Sequence, residues 1–143
     1  LESKGKFKTH LDLSKATEKI KNGEDDESIW QELGKECQNC GGCAFVCPVC
    51  SCFNVVDRVC SSDSGERIRT WDACTFAGFT RMAGGHNPQQ ENKDRLKQRF
   101  YHKLYYSIEN LGTYGCVGCG RCLNTCPADI SLARVVELIN KKE

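Results

Sequence analysis

Two cysteine runs with the same spacing constrain the fold of this 143-residue chain more than any other feature. Each run has the spacing C-x2-C-x2-C-x3-C-P. They are Cys37, Cys40, Cys43 and Cys47 followed by Pro48, and Cys116, Cys119, Cys122 and Cys126 followed by Pro127. Bacterial-type ferredoxins hold a [4Fe–4S] cube with this run. Zinc sites close with four ligands, usually from paired C-x2-C units, and need no such triplets. The spacing therefore predicts two [4Fe–4S] clusters.

The fourth cysteine of each run is expected to bind the cluster of the other run. Three thiolates at i, i+3 and i+6 can each reach a different iron of one cube, whereas the chain carries the fourth away to the second cube. Two crossed ligand sets follow from this rule. The first cluster takes Cys37, Cys40, Cys43 and Cys126, and the second takes Cys116, Cys119, Cys122 and Cys47.

Twelve cysteines are typical either of a disulfide-bonded secreted protein or of a metal protein. The lysine-rich start, residues 1–23, contains no apolar run long enough for a secretory signal. We therefore expect a cytoplasmic protein whose thiolates bind metal.

Without the cysteines the chain is poor in apolar residues, so cluster binding should contribute to folding. The net charge of +1 argues neither for nor against nucleic acid, and we expect neither a nucleic-acid partner nor membrane insertion.

Helical patterns flank the first run. A capping box beginning at Ser28 predicts a helix over 29–36 that leads into Cys37. A second helix is predicted over 48–58, because a proline suits the first turn of a helix. Glu66 to Trp71 is a candidate strand, so the fold allows one short hairpin.

Two more helices are predicted around the second run. Over 93–110 apolar side chains recur every four positions and form an inward stripe. The opposite face is basic and is expected to lie in solvent or to dock an acidic partner. Its basic residues are Lys93, Arg95, Lys97, Arg99 and Lys103. After Pro127 a last helix is expected, with Asp129 or Ser131 as its cap.

These elements predict a mainly α fold, an α-helical dicluster ferredoxin in which helices flank two [4Fe–4S] loops. A compact β-rich ferredoxin would place its motifs close together, whereas 68 residues separate Cys47 from Cys116. Residues 1–28 are expected to be a linker or docking arm, which includes at most one short helix packed on a neighbour. Residues 29–143 are expected to form the dicluster ferredoxin domain.

Further motifs accompany the two runs. They are Cys47-Pro-x-Cys50-x-Cys52, Trp71-Asp-x-Cys74-x-Phe76, Ala83-Gly-Gly-His-Asn87, Lys93-Asp-Arg95 and Cys116-Val-Gly-Cys119-Gly-Arg-Cys122. This combination, over about residues 29–131, resembles the C-terminal dicluster region of the beta subunit of cytoplasmic sulfhydrogenase-type NiFe hydrogenases. The A subunit of anaerobic sulfite reductase belongs to the same family.

The resemblance implies an electron-transfer subunit of a cytoplasmic multi-subunit oxidoreductase, such as a hydrogenase or a sulfite reductase. Such a subunit relays electrons between an FAD/NAD(P)-binding subunit and a catalytic redox subunit, and we expect no substrate site in this chain. Family members usually carry a larger N-terminal domain, whereas this chain has 36 residues before Cys37. That domain is expected to be missing here or to exist as a separate chain.

Four cysteines lie outside the two runs. They are Cys50, Cys52, Cys60 and Cys74. One hypothesis makes them ligands of an additional, non-standard cluster and the protein a reductase. The alternative makes them small buried residues, as free cysteines often are.

Two other features leave alternatives open. His86 is a candidate for a hydrogen bond to a cluster, and Arg121 for a positive charge beside the second cluster. Their alternatives are a structural hydrogen bond to the backbone and exposure to solvent. A third interpretation of the whole chain is a zinc-stabilised interaction module that uses the basic helix at 93–103 on nucleic acid.

Overall fold

The computed structural model describes residues 11–141. Its elements are α1 (Leu13–Asn22), α2 (Glu27–Glu36), α3 (Gly42–Phe45), β1 (Phe53–Val59), β2 (Gly65–Trp71), α4 (Asn92–Tyr101), α5 (Ser107–Leu111), α6 (Arg121–Thr125) and α7 (Leu132–Lys141). A π-helical segment, His102–Tyr106, joins α4 to α5. The described chain is 45% helical and includes one two-stranded sheet, so the fold is mixed rather than mainly α as predicted. Within residues 11–141, no helix has the length and apolar character needed to cross a bilayer.

The hydrophobic core lies between α1, α2, α7 and the long helical stretch of α4 and the π-helical segment. Its buried members are Ala16, Ile20, Ile29, Trp30, Leu33, Leu96, Phe100, Leu104, Ile130, Val135, Val136 and Ile139. Most of the stripe predicted over 93–110 is therefore core, and so is the apolar face of the last helix. Burial of these side chains is the main apolar contribution to the stability of the fold.

Helix α1 belongs to this core rather than to a free arm. Ala16 and Ile20 are buried, and the Thr17 hydroxyl donates a hydrogen bond of 3.0 Å to the Leu104 carbonyl in the π-helical segment. The expectation of a linker or docking arm over 1–28 is therefore corrected for residues 13–22, because their apolar side packs on α7 and on the π-helical segment. Residues 1–10 of the expected arm lie outside the described residues.

Helix α2 leads into the first cysteine run, as predicted. It begins at Glu27 because Asp26, and not Ser28, is the cap, and the Asp26 carboxylate accepts a hydrogen bond of 2.7 Å from the Ser28 N–H. It ends at Glu36, with Cys37 as its C-cap.

Residues 53–59 form strand β1 and not the helix predicted over 48–58. The strands pair antiparallel from Phe53 with Trp71 to Val59 with Gly65. Valines on β1 favour a strand, and the polar residues at 61–64 form the connecting turn. All of β1 is exposed, so the hairpin extends away from the core. Its pairing brings together the two chain segments at its base.

Candidate metal centre

Two small cavities of similar size are each lined by four cysteines. The first contains Cys37, Cys40, Cys43 and Cys126, and the second contains Cys47, Cys116, Cys119 and Cys122. The fourth cysteine of each run thus faces the three of the other run. All of these thiols are free of disulfide bonds. Four thiols around one space suit a cube, in which each thiolate binds its own iron.

The four thiols of each cavity are not grouped as a site for a single metal ion would require. In the part of the chain that the structure describes, no three Cys, His, Asp or Glu side chains form a group tight enough for one metal ion. A cube requires a more open set, because its four irons separate the thiolates. The donor set therefore fits a [4Fe–4S] cluster.

The first cavity depends on a glycine in the first run. Gly41 has φ +74° and precedes α3, and a Cβ at this position would lie 2.5 Å from the Phe76 ring. Glycine is therefore required both for the left-handed backbone and for the close approach. The turn directs Cys40 and Cys43 to the same cavity.

An ion pair between α2 and α7 joins the two chain segments that supply the first cavity. Arg134 binds the Glu36 carboxylate with both terminal nitrogens, at 2.7 and 2.9 Å. The same guanidinium donates to the Ala128 carbonyl at 3.2 Å. Since Glu36 precedes Cys37 and Ala128 follows Cys126 closely, this link holds the distant fourth cysteine beside the first run. Such bidentate pairs also fix orientation.

Lys103, in the π-helical segment, lines the second cavity and contacts its fourth cysteine. Its ammonium donates to the Cys47 sulfur at 3.2 Å and to the Gly115 carbonyl at 2.8 Å. The Gly115 N–H donates in turn to the Lys103 carbonyl at 3.0 Å. A Cβ on Gly115 would lie 3.1 Å from the His102 carbonyl oxygen, so glycine allows this close approach. The lysine thus joins Cys47 of the first run to the start of the second.

Three basic residues of α4 and the π-helical segment are buried, so the prediction of an outer, solvated basic face is wrong for them. Arg95, Arg99 and Lys103 have exposed fractions of 4, 3 and 5%. They follow one another at intervals of four, next to the apolar stripe of Leu96 and Phe100, and therefore form one row on the helix. The same spacing also fits an exposed row, so the sequence alone did not indicate their burial.

Arg99 lies between the two cavities. Its guanidinium donates to the Cys43 carbonyl at 3.0 Å and to the Cys50 sulfur at 3.7 Å. Together with Phe100 and Ile130 it lines both four-cysteine cavities, so these three side chains form their common wall. A buried cation at this wall favours thiolates and additional electrons on both sides.

Arg95 has a structural role beside the first cavity. Its guanidinium donates to the carbonyls of Thr75, Gln89 and Gln90 at 3.2, 2.9 and 2.6 Å, and also to the Asn92 side chain. These bonds attach the loop between β2 and α4 to the helix. Buried guanidinium groups require this degree of hydrogen bonding.

The buried cations Arg99 and Lys103 act to lower the pKa values of nearby cysteines, to different extents. Burial raises the pKa of the Cys43 thiol, and the charge of Arg99 opposes this shift. Burial likewise disfavours the Cys47 thiolate, but hydrogen bonds from the Val49 N–H, the Cys50 thiol and Lys103 outweigh burial and lower the pKa of Cys47. These hydrogen bonds favour the thiolate form of Cys47.

The cysteines outside the runs do not all meet. Cys50, Cys52 and Cys74 line a third, more open cavity of about 280 Å³ next to Arg99 and Lys103. Cys60 is exposed at the far end of the hairpin, where its thiol donates to the Arg58 carbonyl at 3.8 Å. The four therefore do not surround one site.

The two tuning candidates do not line the four-cysteine cavities. His86 is exposed, and its carbonyl accepts a backbone hydrogen bond of 2.8 Å from Met82. Arg121 is exposed at the start of α6. The structure places the buried cations Arg99 and Lys103 beside the cysteines instead.

A family model described as a 4Fe-4S dicluster domain matches residues 36–130. The chain belongs to the 4Fe–4S dicluster domain family. This dicluster protein accordingly binds two [4Fe–4S] clusters and serves electron transfer, which confirms the cofactors predicted from the cysteine runs.

The dicluster protein is similar to sulfhydrogenase 2 subunit beta of Pyrococcus furiosus. The two are 35% identical over 113 residues, which cover 79% of this chain and 33% of that protein. The chain thus spans about a third of the length of this curated relative. The resemblance to sulfhydrogenase beta subunits is confirmed. No solved structure matches the chain.

Proposed function

We propose that this chain is the electron-relay subunit of a cytoplasmic multi-subunit oxidoreductase of the hydrogenase or sulfite reductase type. It passes electrons one at a time between an FAD/NAD(P)-binding subunit and a catalytic redox subunit. The observation that carries this proposal is the pair of four-cysteine cavities with a common wall of Arg99, Phe100 and Ile130. Two carriers on either side of one common wall provide a path for electrons.

The outer side of each cavity reaches the surface. Cys40 of the first cavity and Cys119 of the second are both exposed. An electron can therefore enter at one exposed cysteine loop and leave at the other. The similar beta subunit of a sulfhydrogenase supports placement in a complex of that kind.

We further propose crossed ligation, in which Cys126 binds the first cube and Cys47 the second. Cys126→Ala should remove the electron paramagnetic resonance (EPR) signal of the first cube, because that cube keeps only three thiolates, and should leave the second cube with all four. Cys60→Ala is the matched control, since this exposed cysteine lines neither cavity. Loss of the second cube and survival of the first would refute the crossed assignment.

The relay is tested on the native assembly purified under strictly anaerobic conditions. We expect a brown protein that contains the iron and sulfide of two cubes and co-purifies with the two partner subunits. Addition of NAD(P)H should reduce the cubes before product forms at the catalytic subunit. Cubes that stay oxidised while the flavin is fully reduced would refute the relay, and a colourless protein containing zinc would favour the interaction module instead.

A further inference from the structure

The hairpin brings two cysteines outside the runs into contact at its base. Cys52 immediately precedes β1, and Cys74 follows closely after β2. Phe53 pairs with Trp71 at the base of the hairpin. One residue further on, the Asp72 N–H donates a hydrogen bond of 3.1 Å to the Cys52 carbonyl. Cys52 and Cys74 are thus neighbours through strand pairing, although 21 residues separate them in sequence.

The two sulfurs are hydrogen-bonded to each other. The Cys74 thiol and the Cys74 backbone N–H both donate to the Cys52 sulfur. These bonds lower the pKa of Cys52 to about 6, and the same thiol–thiolate bond raises the pKa of Cys74, whose burial acts in the same direction. Cys52 is partly exposed at the open cavity, whereas Cys74 is buried. This arrangement favours a thiolate at the accessible Cys52 and a thiol at the buried Cys74.

This pair adjoins the second four-cysteine cavity. Cys50 lines the same open cavity, and its thiol hydrogen-bonds to the sulfur of Cys47. Arg99 also contacts Cys50, at 3.7 Å, and its charge acts on both Cys52 and Cys74. The open cavity therefore adjoins the second four-cysteine cavity through Cys50 and the buried Arg99 and Lys103, which line both cavities or contact their cysteines.

We propose that Cys52 and Cys74 are a redox-active dithiol that reduces small disulfides with electrons from the second cube. The open cavity of about 280 Å³ would admit the disulfide beside Cys52. This inference rests on the proposed function, because the cubes supply the electrons. It replaces the hypothesis of a further cluster bound by four cysteines, since Cys60 lies at the other end of the hairpin.

The chemistry balances as two successive exchanges. The Cys52 thiolate attacks the substrate RSSR, which forms a mixed disulfide and releases RS⁻. Cys74, as it loses its proton, attacks the Cys52 sulfur, releases the second RS⁻ and closes the Cys52–Cys74 disulfide. Two one-electron transfers from the cubes then cleave this disulfide, and one proton returns to Cys74. In sum, one RSSR, two electrons and two protons give two RSH.

The first test detects the disulfide itself. The anaerobic protein with both cubes is poised at a series of potentials, treated with iodoacetamide and digested for mass spectrometry. We expect a peptide pair linked through Cys52 and Cys74 to appear on oxidation while the cube absorbance persists. The link should be absent from Cys52→Ser and Cys74→Ser and present in Cys60→Ser. Thiols that stay alkylatable at every potential at which the cubes are intact would overturn the proposal.

The second test measures electron transfer to the probe bis(2-hydroxyethyl) disulfide. Cubes reduced beforehand should reoxidise on mixing, with one disulfide consumed for every two electrons. We expect at least a tenfold slower reaction for Cys52→Ser and for Cys74→Ser, and the original rate for Cys60→Ser. Unchanged rates in both active-pair variants would overturn the proposal.

Metal analysis separates this inference from the other assignments. Cys52→Ser should retain the iron and sulfide of two cubes. Iron in excess of two cubes that is lost in this variant would make Cys52 a cluster ligand and overturn the dithiol. A protein that lacks the two cubes altogether would refute the proposed relay, whatever the state of Cys52 and Cys74.

Discussion

Lys103 shows how one buried side chain can act on a redox centre. Its ammonium is 5% exposed and lies 3.2 Å from the Cys47 sulfur. A positive charge stabilises the thiolate and, more strongly, the reduced form of a bound cube, which carries one additional negative charge. Because water is largely excluded at this position, the interaction is screened much less than at the surface.

Lys103→Met should lower the reduction potential of the second cube by on the order of 100 mV, since a nearby charge of this kind contributes a few kcal/mol at an effective dielectric constant of about 20. EPR-monitored redox titration measures the change, and the first cube should shift less. Lys97→Met is the control, because the Lys97 ammonium pairs with Asp25 and Glu27 instead. An unchanged or higher potential in the Lys103 variant would contradict the assignment.

Asp25 is a second buried charged residue, although the acidic run that contains it suggests an exposed position. It belongs to an acidic run at residues 24–27, yet its carboxylate accepts hydrogen bonds from the Trp30 indole at 2.6 Å and from the Tyr101 hydroxyl at 2.7 Å. The Lys97 ammonium lies 3.5 Å away. The carboxylate therefore joins α2 to α4 at the edge of the core.

Asp25→Ala should reduce the free energy of unfolding by about 3 kcal/mol, because it leaves the buried Trp30 indole and the partly buried Tyr101 hydroxyl without their acceptor. The denaturation midpoint of the anaerobic protein with both cubes reports this change. Glu24→Ala, at an exposed neighbouring position, should leave the midpoint nearly unchanged. Equal effects of the two substitutions would contradict the role of Asp25.

At the scale of elements, the contact between α2 and α7 matters most for the first cavity. The Arg134–Glu36 pair is the place where the end of one helix and the start of another meet beside Cys37 and Cys126. Its side chains are about one third exposed, so solvent reduces its contribution to overall stability. Its geometric contribution remains, because two parallel hydrogen bonds restrict the relative position of the helices.

Arg134→Met should therefore accelerate the loss of the first cube several-fold and affect the second cube less. Bleaching of each cube in the presence of an iron chelator, followed by EPR, measures the two rates. Lys141→Met, at an exposed position on the same helix, is the matched control. Equal acceleration of both cubes would indicate general destabilisation instead of a local role.

Across the whole molecule, the apolar core and the cysteine loops are separate sources of stability. The core lies on the helices, whereas both cavities are bordered by loops that carry few buried apolar side chains. Those loops bring the thiols close together beside Arg99 and Lys103 of the long helical stretch, and bound metal offsets the cost of grouping the thiols. Cluster binding and folding are thus coupled most strongly at the loops.

Removal of iron should therefore unfold the cysteine loops first. Amide hydrogen exchange is expected to increase strongly over residues 37–52 and 115–127, and less over α2, α4 and α7. Mass spectrometry of the protein with and without its cubes measures this difference. Uniformly increased exchange would show that the helical core also depends on the clusters, and unchanged exchange in the loops would contradict the coupling.

Much of this protein follows from local sequence. The cysteine spacing determines which thiols can share a cube, and the interval of apolar residues determines the buried faces of α4 and α7. Both are short-range properties, because neighbours along a turn or helix are set by backbone geometry. The cube cofactors and the helices that flank them could therefore be predicted without a structure.

Only the tertiary structure decided the environment of those cysteines. Burial of Arg99 and Lys103 depends on chain segments that are distant in sequence, and local patterning assigned both residues to solvent. Residues 53–59 likewise pair with β2 instead of forming the helix predicted over 48–58, and this pairing places Cys52 next to Cys74. Long-range packing and pairing determine these contacts, since their free energy arises only when the distant segments meet.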